Sequence, residues 1–287
     1  MTTTVTTATT ATTATAEARP ARPDETTRTG RDRTGAIRGI PLGRIIGVEL
    51  RKAVDTRSGF WLLAGIGIAA VATTTAVIAW APRNELTYSQ FTLAIGVPMS
   101  IILPIIAALS VTAEWSQRTG LATFTLVPNR GRVLTGKAAA ALLIAAAASV
   151  VAFIVGALGN LVGSAIADVP TVWDQSLRDA AYFTLANALL VLVGFMFGAL
   201  VRNTPGAIVG YMIYAFVAPG LLAFLAFSQD WFDEARPWVD AKYNQDALLR
   251  GDTLAGQDWA HLAVTTALWV VVPTVIGVVR LLRSEVK

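Results

Sequence analysis

Residues 138–166 read AAAALLIAAAASVVAFIVGALGNLVGSAI, twenty-nine positions without a charge. A helix needs about 20 apolar residues to cross the ~30 Å hydrocarbon core of a bilayer. This stretch exceeds that length, so it either tilts or projects beyond the bilayer. Five further runs share its character, at roughly 59–81, 91–113, 180–201, 205–227 and 261–279. None of the six contains Asp, Glu, Lys or Arg. Lipid offers the backbone no hydrogen-bond partner, which leaves helices and closed barrels as spanning structures. The runs lack the alternation of barrel strands and therefore read as helices. The expected fold is an all-α membrane protein. Its bundle of six transmembrane helices occupies residues 37–287 and carries an N-terminal amphipathic interfacial helix.

Composition points the same way. The chain is 54% hydrophobic and 15% charged, where a soluble domain carries about a quarter charged residues. It has no cysteine, which excludes disulfides and cysteine-ligated metals, and its one histidine, His261, is too few for a histidine-based metal site. A net charge of +4 raises nucleic acid as a partner. The basic residues are instead sorted along the chain by membrane side, and no nucleic acid is expected. With a cytoplasmic N-terminus, eighteen of the 23 Lys and Arg fall inside, while eleven of the 19 acids fall outside. Arg51, Lys52 and Arg57 precede the first span. Arg118, Arg130, Arg132 and Lys137 follow the second, Arg202 follows the fourth, and Arg280, Arg283 and Lys287 end the sequence. The positive-inside rule then places both termini in the cytoplasm.

Residues 1–36 are Thr- and Ala-rich and low in complexity, and read as a disordered cytoplasmic tail. They lack the apolar core of a secretory signal, so no cleavage is implied. From Leu42 the pattern changes. Leu42, Ile45, Ile46, Leu50 and Ala53 fall on one helical face, with Arg44, Arg51, Lys52 and Asp55 largely on the other. Such a segment is either an interfacial helix leading into the first span or an ordinary juxtamembrane stretch. Glu49, at the edge of the apolar face, argues against contact with lipid alone.

Three spans carry G-x-x-x-G, at Gly159/Gly163, Gly194/Gly198 and Gly206/Gly210, which predicts close helix packing within a bundle or at a subunit interface. Pro98, Pro104, Pro219 and Pro273 should kink the second, fifth and sixth spans, as a transport pathway or as plain structure. Ion-coupled carriers generally hold ionisable groups at mid-membrane, and these spans hold none. Asn160 and Asn187 are their chief amides, each expected to bond between helices. His261 falls at the outer mouth of the last span. An intramembrane protease would need a buried nucleophile and base or paired aspartates, and neither is present. The chain is thus not expected to be an enzyme. Any uphill movement it performs draws on another subunit.

Gly131–Lys137 reads G-R-V-L-T-G-K, the skeleton of a phosphate-binding loop. Ala138 stands where such a loop has the Ser or Thr that holds Mg²⁺, and no strand precedes it, so nucleotide binding is not expected. The whole segment 114–137 reads EWSQRTGLATFTLVPNRGRVLTGK. It opens on a carboxylate, breaks at Pro128 and ends in a basic cluster. It can present Trp115, Leu121 and Phe124 on a short helix to a partner groove, or be only an inner connection with positive-inside charge. The segment 228–260 places Trp231, Phe232 and Trp238 among seven acids. It reads as an interfacial cap, with a binding role for a lipid or peptide as the alternative. Tyr211, Tyr214, Phe216 and Phe224 line a substrate path or serve packing.

Two of these segments carry a resemblance. Glu49–Trp61, E-L-R-K-A-V-D-T-R-S-G-F-W, resembles the E-x-K-x-x-x-x-R-S-x-W stretch before the first span of bacterial ABC transporter permeases of the type-2 exporter class. After the second span those proteins carry E-x-x-x-G-T-x-x-x-T-L-x-x-P-x-R-x-x-x-x-x-K. Glu114, Gly120, Thr125, Leu126, Pro128, Arg130 and Lys137 match it. Five residues rather than three separate Glu114 from Gly120, and Leu121 replaces the usual Thr. The resemblance covers residues 41–287 in layout.

It implies the permease subunit of an ATP-driven exporter in a bacterial plasma membrane, paired with a second permease subunit as a homo- or heterodimer. The partner ABC ATPase would hold ATP and magnesium, with no cofactor in this chain. It further implies that the loop after the second span touches the ATPase, making Glu114, Arg118, Thr119, Gly120, Phe124, Arg130 and Arg132 the contact surface. A membrane scaffold or assembly factor, or a secondary carrier, is the alternative.

Overall fold

The computed structural model describes residues 40–116, 130–249 and 253–283, with side chains for all of these except 114–116, 130 and 281–283. The expected tail, 1–36, lies outside the described residues. The described residues are mainly helical, with non-helical connections such as 168–176, where Val172 forms an isolated bridge to Thr87. Helix α1 is Leu42–Asp55, α2 Arg57–Trp80, α3 Tyr88–Ser116, α4 Arg130–Ala167 and α5 Leu177–Val201. Helix α6 is Thr204–Ser228. Two short helices follow, α7 (Asp230–Val239) and α8 (Ala241–Ala247). Helix α9 runs from Gly256–Thr266 through Ala267–Val271 into Val272–Arg283. Among the described residues six helices, α2 to α6 and α9, are long and apolar enough to cross a membrane. The six-helix fold read from the sequence therefore stands.

Helix α4 starts eight residues before its uncharged run, at Arg130 rather than Ala138. The apolar run marks where hydrocarbon lies. The backbone hydrogen bonds of the helix continue past it, carrying Arg132 and Lys137 on the first turns.

The core lies where α3, α4 and α5 meet. Ile95, Met99, Leu103 and Ala107 of α3 face Ala141, Ala145, Ala148 and Ala152 of α4 and Phe183, Val191, Phe195 and Ala199 of α5. The alanines recur every three or four residues, which gives α4 one face of small side chains against α3. The glycine motifs serve the same purpose inside the chain. A Cβ on Gly194 would stand 2.1 Å from the Pro104 carbonyl oxygen, and one on Gly198 2.9 Å from that of Ala108. Only glycine lets α5 approach the α3 backbone so closely. Gly159 and Gly163 receive the Phe91 ring, and Gly210 that of Phe197.

The prolines are absorbed locally. Pro104 has no N–H for the Ser100 carbonyl one turn earlier, and the Tyr211 hydroxyl of α6 donates to that oxygen instead. Pro219 and Pro273 each follow a π-helical turn, at Ile213–Val217 and Ala267–Val271. The extra residue in such a turn accommodates a ring that collides with the regular helix. The two amides behave otherwise than expected. Asn160 Nδ2 donates to the Val172 carbonyl (2.9 Å), and Asn187 Nδ2 to Phe183 of its own helix (2.9 Å). In each the amide nitrogen takes a near carbonyl rather than a neighbouring helix, and Asn160 Oδ1 stays buried without a partner.

Two ends follow from the antiparallel spans. One carries α1, the start of α4 and the α5–α6 corner, where Arg202 is left-handed (φ 55°) and Asn203 caps α6. The other carries α7, α8 and the start of α9, hereafter the cap.

Candidate coupling site

The amphipathic reading of α1 holds in detail. Ile45 and Glu49 are buried, Leu42, Ile46, Leu50 and Ala53 are half-buried, and Arg44, Arg51, Lys52 and Asp55 are exposed. The buried face lies on α4 rather than on open lipid. A Cβ on Gly136 would stand 2.5 Å from Ile45 Cγ2, so the glycine admits α1 to close contact. One turn further along, Glu49 meets Lys137. Its Oε2 accepts from Lys137 Nζ at 2.8 Å and its Oε1 from Lys52 Nζ at 2.8 Å. Lys137 is 2% exposed and Glu49 8%.

A basic residue in the first turn of a helix opposes the helix dipole, an effect that fades beyond that turn. Arg132 therefore does not stabilise α4 by its position, while Lys137 lies too deep to feel it. What Lys137 needs is a partner for a buried amine, and the Glu49 carboxylate brought from α1 supplies it. Burial alone pushes the Glu49 carboxyl upward. The charge and hydrogen bond of Lys137, then those of Lys52, outweigh it and hold the group below its ordinary value. Glu49 is therefore ionised at neutral pH. The ion pair bolts α1 to α4 immediately after the 114–130 segment.

Of the expected contact residues, Glu114 lies in the last turn of α3 and Arg130 is the first residue of α4. Arg132 is half-buried on α4. Arg118, Thr119, Gly120 and Phe124 lie outside the described residues. The connection itself is shorter than 114–137, because α3 continues to Ser116 and α4 begins at Arg130. Glu49 and Lys137 each belong to one of the two matching segments. Their pairing across 88 positions was not foreseen, and the signal was a carboxylate on an otherwise apolar helical face.

Tyr211 is buried in packing, while Phe216 and Phe224 face outward from α6. Lys137, in the phosphate-loop skeleton, is helical and paired. Among the described residues no cluster of His, Asp or Glu has the arrangement to hold a metal.

Six spanning helices with a charged amphipathic helix locked to one end define a multi-pass membrane component. The chain matches the family described as ABC-2 family transporter protein over residues 8–286, and it belongs to that family. It is a permease of the ABC-2 type, the membrane component of an ABC transporter and not itself catalytic. No curated protein matches the chain.

Proposed function

We propose that this chain is the permease of an ATP-driven exporter, energised by a separate ABC ATPase that docks on the 114–137 segment. Family membership implies association with an ABC ATPase and a bilayer. The observation that carries the finer reading is the Lys137–Glu49 ion pair. The two segments that resemble exporter permeases, 49–61 and 114–137, meet at this pair. A push on the segment between α3 and α4 is then delivered to α4 and α1 together. Helix α1 leads within one residue into α2, where Thr56 Oγ1 accepts from Gly59 N at 3.1 Å. Closing of the ATPase on ATP would rock the first spans through this corner. In this reading α1 and both termini face the cytoplasm of a bacterial cell, and two permease subunits join two ATPase subunits.

The test is co-purification. An ABC ATPase encoded beside the gene should purify with the chain, and reversing Arg118 and Arg130 to Glu should loosen it and lower stimulated ATP hydrolysis. If complex and hydrolysis are both unchanged, the docking assignment is wrong. Transport without any ATPase would instead make the chain a secondary carrier.

A further inference from the structure

Between α7, α8 and the start of α9 lies a cavity of about 220 Å³, bordered by Tyr243, Asn244, Thr253, Asp258 and His261. None of these residues serves the junction at the other end. Asp258 and His261 stand three residues apart on α9 and so share a face. His261 is 8% exposed, lies edge-on to the Trp238 ring at 4.3 Å, and leaves Nε2 buried without a hydrogen-bond partner. An imidazole nitrogen that carries no proton is a hydrogen-bond acceptor. Asp258 uses Oδ2 to accept from Ala255 N at 2.8 Å, capping α9. A carboxylate has lone pairs on both oxygens, so it retains capacity for a further donor. Asp258 and His261 thus border the cavity with a carboxylate that retains acceptor capacity and a ring nitrogen that lacks a partner.

Charge decides the ligand. The 228–260 segment holds seven acids against Arg236, Lys242 and Arg250. Arg236 is paired with Asp240 and Lys242 with Asp246. Arg178, which reaches the rim at Thr253 Oγ1 (2.8 Å), is paired with Asp179. An anion entering here would face the Asp258 carboxylate, whereas a cation with N–H groups meets it favourably. Depth narrows the source. Trp80, Trp173, Trp231, Trp238 and Trp259 are all exposed at this end of the bundle. Exposed tryptophans at one level mark the headgroup layer. The volume suits a headgroup and falls short of a drug-sized pocket.

We propose that the cap cavity binds a primary alkylammonium group, donated to Asp258 and His261 Nε2, as the headgroup of an aminophospholipid or as a free amine. The site does not depend on how the chain is energised.

The test uses the full chain in nanodiscs of phosphatidylglycerol alone, titrated calorimetrically with ethanolamine and corrected with empty nanodiscs. One saturable site is expected, weakened at least tenfold by Asp258→Asn, which keeps the cap acceptor, and likewise by His261→Gln. Choline, which has no N–H to donate, should bind more weakly than ethanolamine. Nanodiscs containing phosphatidylethanolamine should abolish the ethanolamine signal if the lipid headgroup is the natural occupant, and leave it intact if a free amine is. No saturable ethanolamine binding in phosphatidylglycerol, or equal affinity in both variants with unchanged unfolding temperatures, overturns the proposal.

Discussion

The two ends of the bundle are held together in opposite ways. At the α1–α4 junction one buried ion pair and one glycine contact fix the amphipathic helix. At the cap the ion pairs Arg236–Asp240 and Lys242–Asp246 are local, four residues apart. The bonds that join one element to another there are neutral and spread over several residues. Asn244 Nδ2 donates to Thr265 Oγ1 (3.2 Å), Tyr214 to Gln245 Oε1 (3.1 Å), and Trp269 Nε1 to the Val239 carbonyl (2.7 Å). A buried charge pair concentrates its energy in two atoms and is strongly sensitive to the loss of either partner. Distributed neutral bonds of about 1 kcal/mol each lose little when one is removed. The junction is therefore built to respond and the cap to persist, a division that suits a corner receiving force.

The largest effect should come from removing one partner of the pair. Lys137→Met leaves Glu49 with only the exposed Lys52 as its counter-ion and should destabilise the junction by about 3 kcal/mol, the low end for a broken buried pair. Thermal unfolding in nanodiscs and proteolysis at α1 would register it. The double change Glu49→Met with Lys137→Met should restore most of the loss, because two packed apolar groups need no counter-ion. A single substitution costing no more than a cap bond would erase the contrast between the ends.

Acid should act on the same atoms. Because the folded-state value of Glu49 is depressed below 4.5, its stabilisation is complete above the ordinary carboxylate range. It disappears as pH falls through the depressed value. Proteolysis at α1 should rise on acidification below about pH 4.5, and Glu49→Gln should remove that dependence. An unchanged acid profile in Glu49→Gln would assign the transition to other carboxylates.

The contrast also explains what could be read in advance. Each span declares itself, since the bilayer imposes length and apolarity on consecutive residues and needs no knowledge of neighbours. The burial pattern of α1 was equally legible, from Leu42 to Ala53, because helical periodicity is local. The Glu49–Lys137 pair was not, since a partner 88 positions away leaves no periodic trace. Glu49 registered only as an oddity on an apolar face. Asn160 and Asn187 misled for a related reason. Their chemistry demands a partner without saying which, and the Val172 and Phe183 carbonyls were nearer than another helix. Helix α4 extends beyond the uncharged run 138–166 because an apolar run reports the membrane boundary, whereas a helix ends where its hydrogen bonds end.

A smaller effect tests the apolar half of the junction. Gly136→Ala sets a methyl 2.5 Å from Ile45 Cγ2, so one helix must move. The cost should be about 1–3 kcal/mol in unfolding. Trimming the obstacle with Ile45→Ala should make the pair less harmful than the sum of the singles. Strict additivity would mean that α1 does not rest on Gly136.

The smallest effect belongs to the cap. Trp269→Phe keeps an aromatic ring on α9 and deletes the indole N–H that reaches the Val239 carbonyl. That carbonyl belongs to the last residue of α7 and the bond is exposed, so water can replace the lost donor. The loss should be about 1 kcal/mol or less in thermal unfolding, with no rise in proteolysis between α7 and α8. Asn244 and Gln245 continue to hold α8 against α9 and α6, and Asp240 still caps α8 by accepting from Tyr243 N at 3.0 Å. Release of the whole cap by this one change would show a single linchpin where the structure has several. The cap would then resemble the junction, and the contrast between a responsive end and a persistent one would fail.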